Sequence, residues 1–448
     1  MMSHVEHPAT DTAPVDQLLP VRTSERIASL DVLRGVSLQG ILLLNITAFG
    51  LVFEAYDDPT VQGGAEGLDL VVWIINNMFF EGTMRAMFSM LFGVGMVLMT
   101  MRMEKRGGGI EIADIYYRRT ILLILFGMFH AYFLLWVGDI LYAYGLFGLL
   151  LFPLRKFKPN QLIIGAALLT LMGVTFEYYQ YKKNIKNFHL YEQAKTYSSP
   201  SDVPPEIQQG SEAWETFVGK KKPEPEEIQR NVDKMHGSYI SMVLALASDN
   251  RMMQTVYNYT YNPFDVLPMM LLGIALYRLR VVTAKLRIRA YLTMAAIGYA
   301  IGLSINYYET MLLINSNFAV QALAQAGVTY HLGRIALAFG HIGAVMIFCK
   351  LPIMNLLKRS LAAVGKMTLT NYVMDSVICG ILFTGVGFSL YGQLQRHELF
   401  YIAICIWIFK MIASPLWLKF FLFGPLEWLW RSLTYMNIQP IKKEVNQR

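Results

Sequence analysis

The sequence predicts an all-α, polytopic membrane protein of about ten transmembrane helices, with both termini in the cytoplasm. Three observations lead there. Several apolar runs approach the roughly 20 residues that a helix needs to cross a bilayer. Only 16% of the 448 residues are charged, and the mean hydropathy is +0.38. The basic residues gather in short clusters between alternate apolar runs, as positive cytoplasmic loops do. Those clusters account for the net charge of +7, so no nucleic-acid partner is expected.

Residues 1–25 are polar and lack an apolar core, which predicts a cytoplasmic tail and no cleavable signal peptide. An N-terminal membrane half, 26–178, follows, with spans at 27–51, 84–101, 118–137, 139–154 and 160–178. Leu68–Phe80 is apolar but short, so it reads as interfacial or re-entrant. The polar segment 179–261 is broken by Pro200, Pro204, Pro205, Pro223 and Pro225 and predicts an extracytoplasmic loop or cap. A C-terminal half, 262–436, carries spans at 263–280, 288–308, 331–349, 366–388 and 399–422 and ends at the interface. Residues 437–448 form a second cytoplasmic tail.

Charge asymmetry sets the orientation. Arg102, Lys105, Arg106, Arg155, Lys156, Lys158, Arg278, Arg280, Lys350 and Lys358 mark one set of loops. Glu54, Asp57, Asp58, Glu66 and Asp69 mark the other. Gly298 and Gly302 make a small-residue packing face. Cys349, Cys379 and Cys405 all fall within predicted spans, so neither a disulfide framework nor a metal site is expected.

Polar groups inside spans are costly and draw attention as functional residues. Asn45 follows Arg34 by eleven residues, and His130 follows Arg119 by the same interval. Eleven residues is close to whole turns, so each pair shares a helix face, about 16 Å apart. Asp31 and Arg34 are three apart and can pair, so Arg34 either holds a phosphate or carboxylate at the cytoplasmic mouth or snorkels with a structural partner. His130 suits a general base that Asp139, beyond Gly138 where the chain turns back, can orient, and a hydrogen-bonded contact between helices is equally open. His331, Arg334 and His341 form a second basic stripe on the eighth span, open to an anionic or sugar acceptor or to a structural network. Glu81 and Arg85 have the spacing of a helical ion pair. Asn371 and Asp375 put an amide and an acid inside the ninth span, where a paired structural Asp and a proton or ion ligand are both open. No phosphate-binding Gly-rich loop, His-Glu-x-x-His or Gly-x-Ser-x-Gly motif occurs.

Five stretches together resemble the YeiB family of bacterial membrane proteins, a family of unknown function, over about residues 26 to 436. They are Arg-Ile-x-x-Leu-Asp-x-Leu-Arg-Gly at 26–35 with Gly40 to Asn45, and Phe-Glu-Gly-x-x-Arg-x-x-Phe-Ser-x-Leu-Phe-Gly at 80–93. His130 with Trp-Val-Gly-Asp at 136–139, Gly-Lys-Met-x-Leu-Thr-Asn-Tyr at 365–372 and Gly-Pro-Leu-Glu-Trp-Leu-Trp-Arg at 424–431 complete them. That family is similar to the transmembrane acyltransferases, which include heparan-alpha-glucosaminide N-acetyltransferase. The resemblance implies a multi-pass enzyme of a bacterial cytoplasmic (inner) membrane. It would take an acyl group from cytosolic acyl-CoA, acetyl-CoA foremost, to an acceptor at the outer face.

On that reading Asp31, Arg34, Arg118, Arg119 and Arg85 bind the donor, and His130, Asp139 and Asn45 carry catalysis. His331, Arg334 and His341 meet the acceptor, which is a glycan, lipid or small molecule. Membrane lipids are partners, acyl-CoA is a co-substrate rather than a tightly bound cofactor, and a homo-oligomer is compatible. The sequence departs from the pattern in three places: no His lies between Asn45 and His130, Thr83-Met84 replaces Lys-Phe, and Asp375 replaces Gln. A transporter or permease of a small solute or lipid-linked substrate is the alternative, and a non-catalytic assembly or sensor component a third.

Overall fold

The computed structural model describes residues 26–443, and the expected tail 1–25 and the last residues, 444–448, lie outside them. Within that range the chain is an all-α polytopic membrane protein. The described residues contain no strand, only an isolated bridge between Phe421 and Lys442.

The helices run in chain order as α1 (Ala28–Gly50), α2 (Gly67–Phe79), α3 (Thr83–Lys105), α4 (Glu111–Phe133), α5 (Leu141–Leu154) and α6 (Pro159–Ala194). Next come α7 (Pro205–Lys221), α8 (Pro225–Met235), α9 (Tyr239–Met252) and the short α10 (Asn258–Thr260). The remainder are α11 (Asn262–Arg278), α12 (Ile288–Asn315), α13 (Val320–Ala326), α14 (Tyr330–Lys350), α15 (Asn355–Lys366), α16 (Thr368–Phe383), α17 (Arg396–Phe420) and α18 (Pro425–Tyr435).

Every predicted span is a helix. Among the described residues six helical stretches are long and apolar enough to cross a membrane, α2 and α3 counting as one stretch, and α5 and α16 are shorter apolar helices. Proline occupies the first position of α6, α7, α8 and α18, where its fixed φ suits a helix start and its missing N–H costs nothing. The Lys158 backbone N–H donates to the Gln161 side chain at 2.8 Å, which closes the start of α6.

Three helix crossings are tight enough to require glycine on both partners, one of them the α12–α14 contact through Gly298, Gly302 and Gly343. A Cβ on Gly93 of α3 would stand 2.2 Å from the Met270 carbonyl oxygen of α11, and one on Gly273 would stand 1.9 Å from that of Met90. Gly35 of α1 and Gly365 of α15 repeat the arrangement, 2.1 Å from Leu361 and 1.9 Å from Asp31. Backbones that approach this closely gain van der Waals contact, a main source of helix association in lipid. Gly273→Ala is therefore expected to destabilise the protein by about 1–3 kcal/mol, since the methyl has only backbone to displace. Gly380, whose Cβ would meet open space, is the control: Ala there should be neutral or stabilising. A melting temperature for Gly273→Ala equal to that of wild type would contradict the crossing.

The segment expected as a loop or cap is helical throughout α7 to α9 and sits on the face opposite the basic loops. Lys221 and Lys222 pair with Asp57 and Asp58 at 2.9 and 3.2 Å. Asn250 donates to the Ala131 carbonyl at the end of α4, and the Gly385 N–H donates to Met235. Trp214 is buried against Phe188 of α6. These ties lay the cap over the α4 end and the α16–α17 turn.

Candidate functional site

A cavity of about 270 Å³ opens on the basic face and runs between α1, α3, α4, α5, α16 and α18. Arg26, Arg34, Arg102, Arg119, Lys366 and Arg431 line its outer part, against two carboxylates, Asp31 and Glu427. Its deep wall is apolar and aromatic, with Phe88, Leu123, Leu141, Tyr144 and Tyr372. Phe88 and Arg102 both line it and are fourteen residues apart on α3, so it reaches about 21 Å along that helix.

A carboxylate holds Arg26 and Arg34, and aromatic rings hold Arg119 and Arg431. Asp31 sits between Arg34 at 3.1 Å and Arg26 at 3.9 Å. The Arg119 guanidinium lies 3.6 Å over Trp430, and that of Arg431 lies 4.3 Å over Phe423; neither pairs with a carboxylate among the described residues. Stacking fixes a guanidinium while leaving its N–H fork free for an anion. Glu427 is committed elsewhere: it accepts from the Leu369 and Thr370 N–H groups at 2.6 and 3.1 Å and from Thr370 Oγ1, capping α16. Burial pushes the Glu427 carboxyl above its ordinary range. Burial, then the nearby Arg119, lowers the Arg431 guanidinium to about 9. A bound anion would relieve that crowding.

Beyond the deep wall lies a buried hydrogen-bonded triple. Asp139 Oδ1 accepts from His130 Nδ1 at 2.7 Å, and His130 Nε2 is 2.7 Å from Ser376 Oγ. The His130 and Asp139 side chains are 1% and 3% exposed. Asp139 Oδ2 also accepts from the Tyr142 N–H at 2.8 Å, at the start of α5. A carboxylate that only accepts fixes the proton on Nδ1, leaving Nε2 as the acceptor facing Ser376. Tyr372 precedes Ser376 by one helical turn and stands between it and the cavity, with its ring centroid 5.0 Å from that of His130. Its hydroxyl accepts from Trp136 Nε1 and from the Ile140 N–H, at 3.2 and 3.3 Å.

The other predicted residues are spread over three places. Arg34, Asp31 and Arg119 share the cavity, whereas Arg118 turns away to Asp114 and to the Thr434 carbonyl, 3.0 Å off. Asn45 is half-buried and does not line the cavity. Only the first turns of α1 reach it, because Met84 of α3 packs on Gly40 deeper in. Arg85 lies on the far side of the deep wall, paired with Asp265 at 2.7 Å and donating to Tyr330 at 3.0 Å.

Arg334 pairs with Glu309 and stacks 3.8 Å from the Tyr330 ring centroid, so it joins the same outer network. His331 is next to Gly173 and Phe264 of the α6–α11 packing. His341 is separate, bonded to Tyr299 at 2.9 Å and to the Phe79 carbonyl at 2.8 Å.

The expected Glu81–Arg85 ion pair does not form. Gly82 has φ +64 and breaks the helix between them, so Glu81 leaves the register and bonds to Tyr56 and Tyr330 instead. Asp375 pairs with Lys410 at 2.8 Å, and Asn371 donates to Ser414 at 3.1 Å. Sequence reasoning overlooked Ser376 and Lys410, and it quoted Tyr372, Glu427 and Arg431 within motifs without giving them a role. Tyr372 and Ser376 were within reach, being four apart and next to the Asn371 and Asp375 already singled out.

Comparison with known proteins gives a consistent neighbourhood. A family model described as "Protein of unknown function (DUF418)" matches residues 276–437. The uncharacterised protein YxaH of Bacillus subtilis is 31% identical over 448 residues, covering 96% of this chain and 99% of that protein. The uncharacterised protein YeiB of Escherichia coli is 29% identical to this chain over 431 residues, covering 93% of this chain and 98% of that protein. A 39.9 kDa protein from the amylase 3′ region of Bacillus acidopullulyticus is 26% identical over 449 residues, with 95% and 99% covered. No solved structure gives a significant match.

Proposed function

The chain belongs to the DUF418 family of YeiB-like proteins of unknown function, and on that premise we propose that it is an integral-membrane acyltransferase. It takes an acyl group from cytosolic acyl-CoA and transfers it to a hydroxyl or amine of a glycan, lipid or small molecule at the outer side. The membrane is the bacterial cytoplasmic membrane, and the basic face is cytosolic, as positive loops require. The carrying observation is a cation-rich cavity whose apolar deep end stops at Tyr372, whose ring centroid lies 5.0 Å from that of His130, the partner of Asp139.

Each part has a chemical reason. Arg34, Arg119 and Arg431 suit the phosphates of CoA, because guanidinium forks bind phosphate oxygens bidentately. A narrow apolar passage suits the pantetheine arm and the acyl chain, and its length delivers the thioester far from the phosphates. There His130 takes the acceptor's proton, with Asp139 fixing its tautomer and steadying the imidazolium. Arg85, Arg334 and His331 belong to the acceptor's side of that wall, joined to the cavity through Ser89, which meets Tyr144 at 2.7 Å.

Acyl-CoA binding to purified protein tests this reading. Arg34→Ala and Arg119→Ala are each expected to weaken binding about 10- to 100-fold, the loss of one or two charge-assisted hydrogen bonds. Binding by the double variant equal to wild type would remove the donor site.

One observation favours a second reading, a transporter or permease: the Lys410–Asp375 pair is buried within spans, and Asp375 Oδ1 has no hydrogen-bond partner among the described residues. That reading requires solute or proton flux without any acylated product.

A further inference from the structure

We infer that Ser376 is the acyl carrier of this site: a nucleophile that His130 activates, acylated by the donor before the acceptor is served. The inference rests on the acyltransferase reading and makes its mechanism a double displacement rather than a direct transfer.

The first argument is a hydrogen bond that breaks the local rule. Buried or half-buried Ser and Thr hydroxyls in helices usually donate to the carbonyl four residues back. Ser37, Ser89, Thr100, Thr120 and Thr434 do so here, at 2.7 to 3.1 Å, while Ser414 bonds to Asn371. Ser376 instead meets His130 Nε2 at 2.7 Å. With the proton of His130 fixed on Nδ1 by Asp139, Ser376 Oγ–H is the donor in that bond. The order carboxylate, imidazole, hydroxyl is that of a nucleophile with an oriented base.

A second argument comes from Tyr372. Its oxygen accepts two N–H bonds, and its own proton has no acceptor among the described residues, although the side chain lines the cavity. A hydroxyl polarised by two donors is a stronger donor itself. It stands one turn from Ser376 on the same face of α16, where the oxygen of a reacting thioester would be. Ser376 is 2% exposed, so the acyl end reaches it by turning the Tyr372 side chain aside.

The steps balance without any further reagent. Ser376 Oγ attacks the thioester carbonyl carbon as His130 Nε2 takes its proton, and Tyr372 donates to the oxyanion. The C–S bond breaks, and the CoA sulfur leaves with the proton from His130, giving CoA thiol and an ester on Ser376. An acceptor O–H or N–H then attacks that ester while His130 takes its proton. The C–Oγ bond breaks and Ser376 recovers the proton.

The test uses full-length protein in lipid nanodiscs with acetyl-CoA and no acceptor, and separately with diisopropyl fluorophosphate. Wild type is expected to release one CoA thiol per chain and carry the acetyl group on the peptide containing Ser376. Ser376→Ala should lose labelling by at least about 10²-fold while still binding acetyl-CoA. Ser376→Cys, which keeps the volume, should carry the label on sulfur. The fluorophosphate should form an ester at Ser376 in wild type but not in His130→Gln.

Acetyl-CoA that binds with neither thiol release nor a label on Ser376, or Ser376→Ala labelled as strongly as wild type, overturns the serine and leaves direct acyl transfer standing. His130-dependent labelling by the fluorophosphate without acetyl-CoA binding supports the serine and discards the acyl-CoA donor. Failure with both reagents overturns both.

Discussion

Lys410→Met is expected to destabilise the protein by about 3–5 kcal/mol, because it leaves a carboxylate without its partner in the middle of the bundle. Lys410 of α17 is fully buried, and its ammonium donates to Asp375 Oδ2 at 2.8 Å. Asp375 Oδ1 has no hydrogen-bond partner among the described residues, so Lys410 is the group that makes the charge tolerable. Within a membrane span an orphaned charge is costly. Removing both charges together, as Asp375→Leu with Lys410→Met, should restore most of the loss, since buried pairs are often replaceable by apolar residues. A double-variant cycle from thermal unfolding in detergent gives the coupling. If Lys410→Met melts where wild type does, the pair contributes nothing to the fold and the polar contact is incidental.

What the sequence could and could not reveal follows from which interactions are local. Apolar runs mark lipid-facing stretches, so spans such as 27–51 and 263–280 agree with α1 and α11 to within two residues. The prediction 160–178 stopped short of α6, which continues to Ala194, because its last sixteen residues, more than four turns, are polar and hydropathy reads only the apolar, membrane-embedded part. The start of α4 at Glu111 was missed for the same reason at the other face. His130 and Asp139 were legible together because nine residues and a turn at Gly138 join them. Ser376 meets His130 across 246 residues of sequence, and no periodicity carries that information.

Neighbouring cations show a second limit. Arg118 and Arg119 are indistinguishable as a sequence pair, but successive residues on a helix point about 100° apart. One turns to Asp114 and the other to Trp430 and the cavity. Likewise Arg34 and Asn45 share a face, as eleven residues dictate, yet the cavity leaves that face before Asn45 is reached. Spacing fixes which side of one helix a residue occupies. What covers that side is decided by the partner helices, here by Met84 on Gly40.

The largest catalytic effect is expected at the His130–Asp139 pair, and two variants separate its functions. His130→Gln keeps a polar side chain between Asp139 and Ser376 but cannot take a proton at neutral pH. Acyl transfer should fall by about 10³–10⁴-fold, the scale of losing an oriented base, while acyl-CoA binding at the distant cations stays at wild-type strength. Asp139→Asn is the subtler case. An amide can donate as well as accept, so it can hold the imidazole with its proton on Nε2 and turn it away from basic service. A loss of about 10²–10⁴-fold is expected there too, with the fold preserved by the Tyr142 N–H still meeting an oxygen. Single-turnover rates measured beside donor affinity decide the matter. Rates that fall only as far as affinity falls would make His130 a packing residue, and a wild-type rate for His130→Gln would remove it from the chemistry.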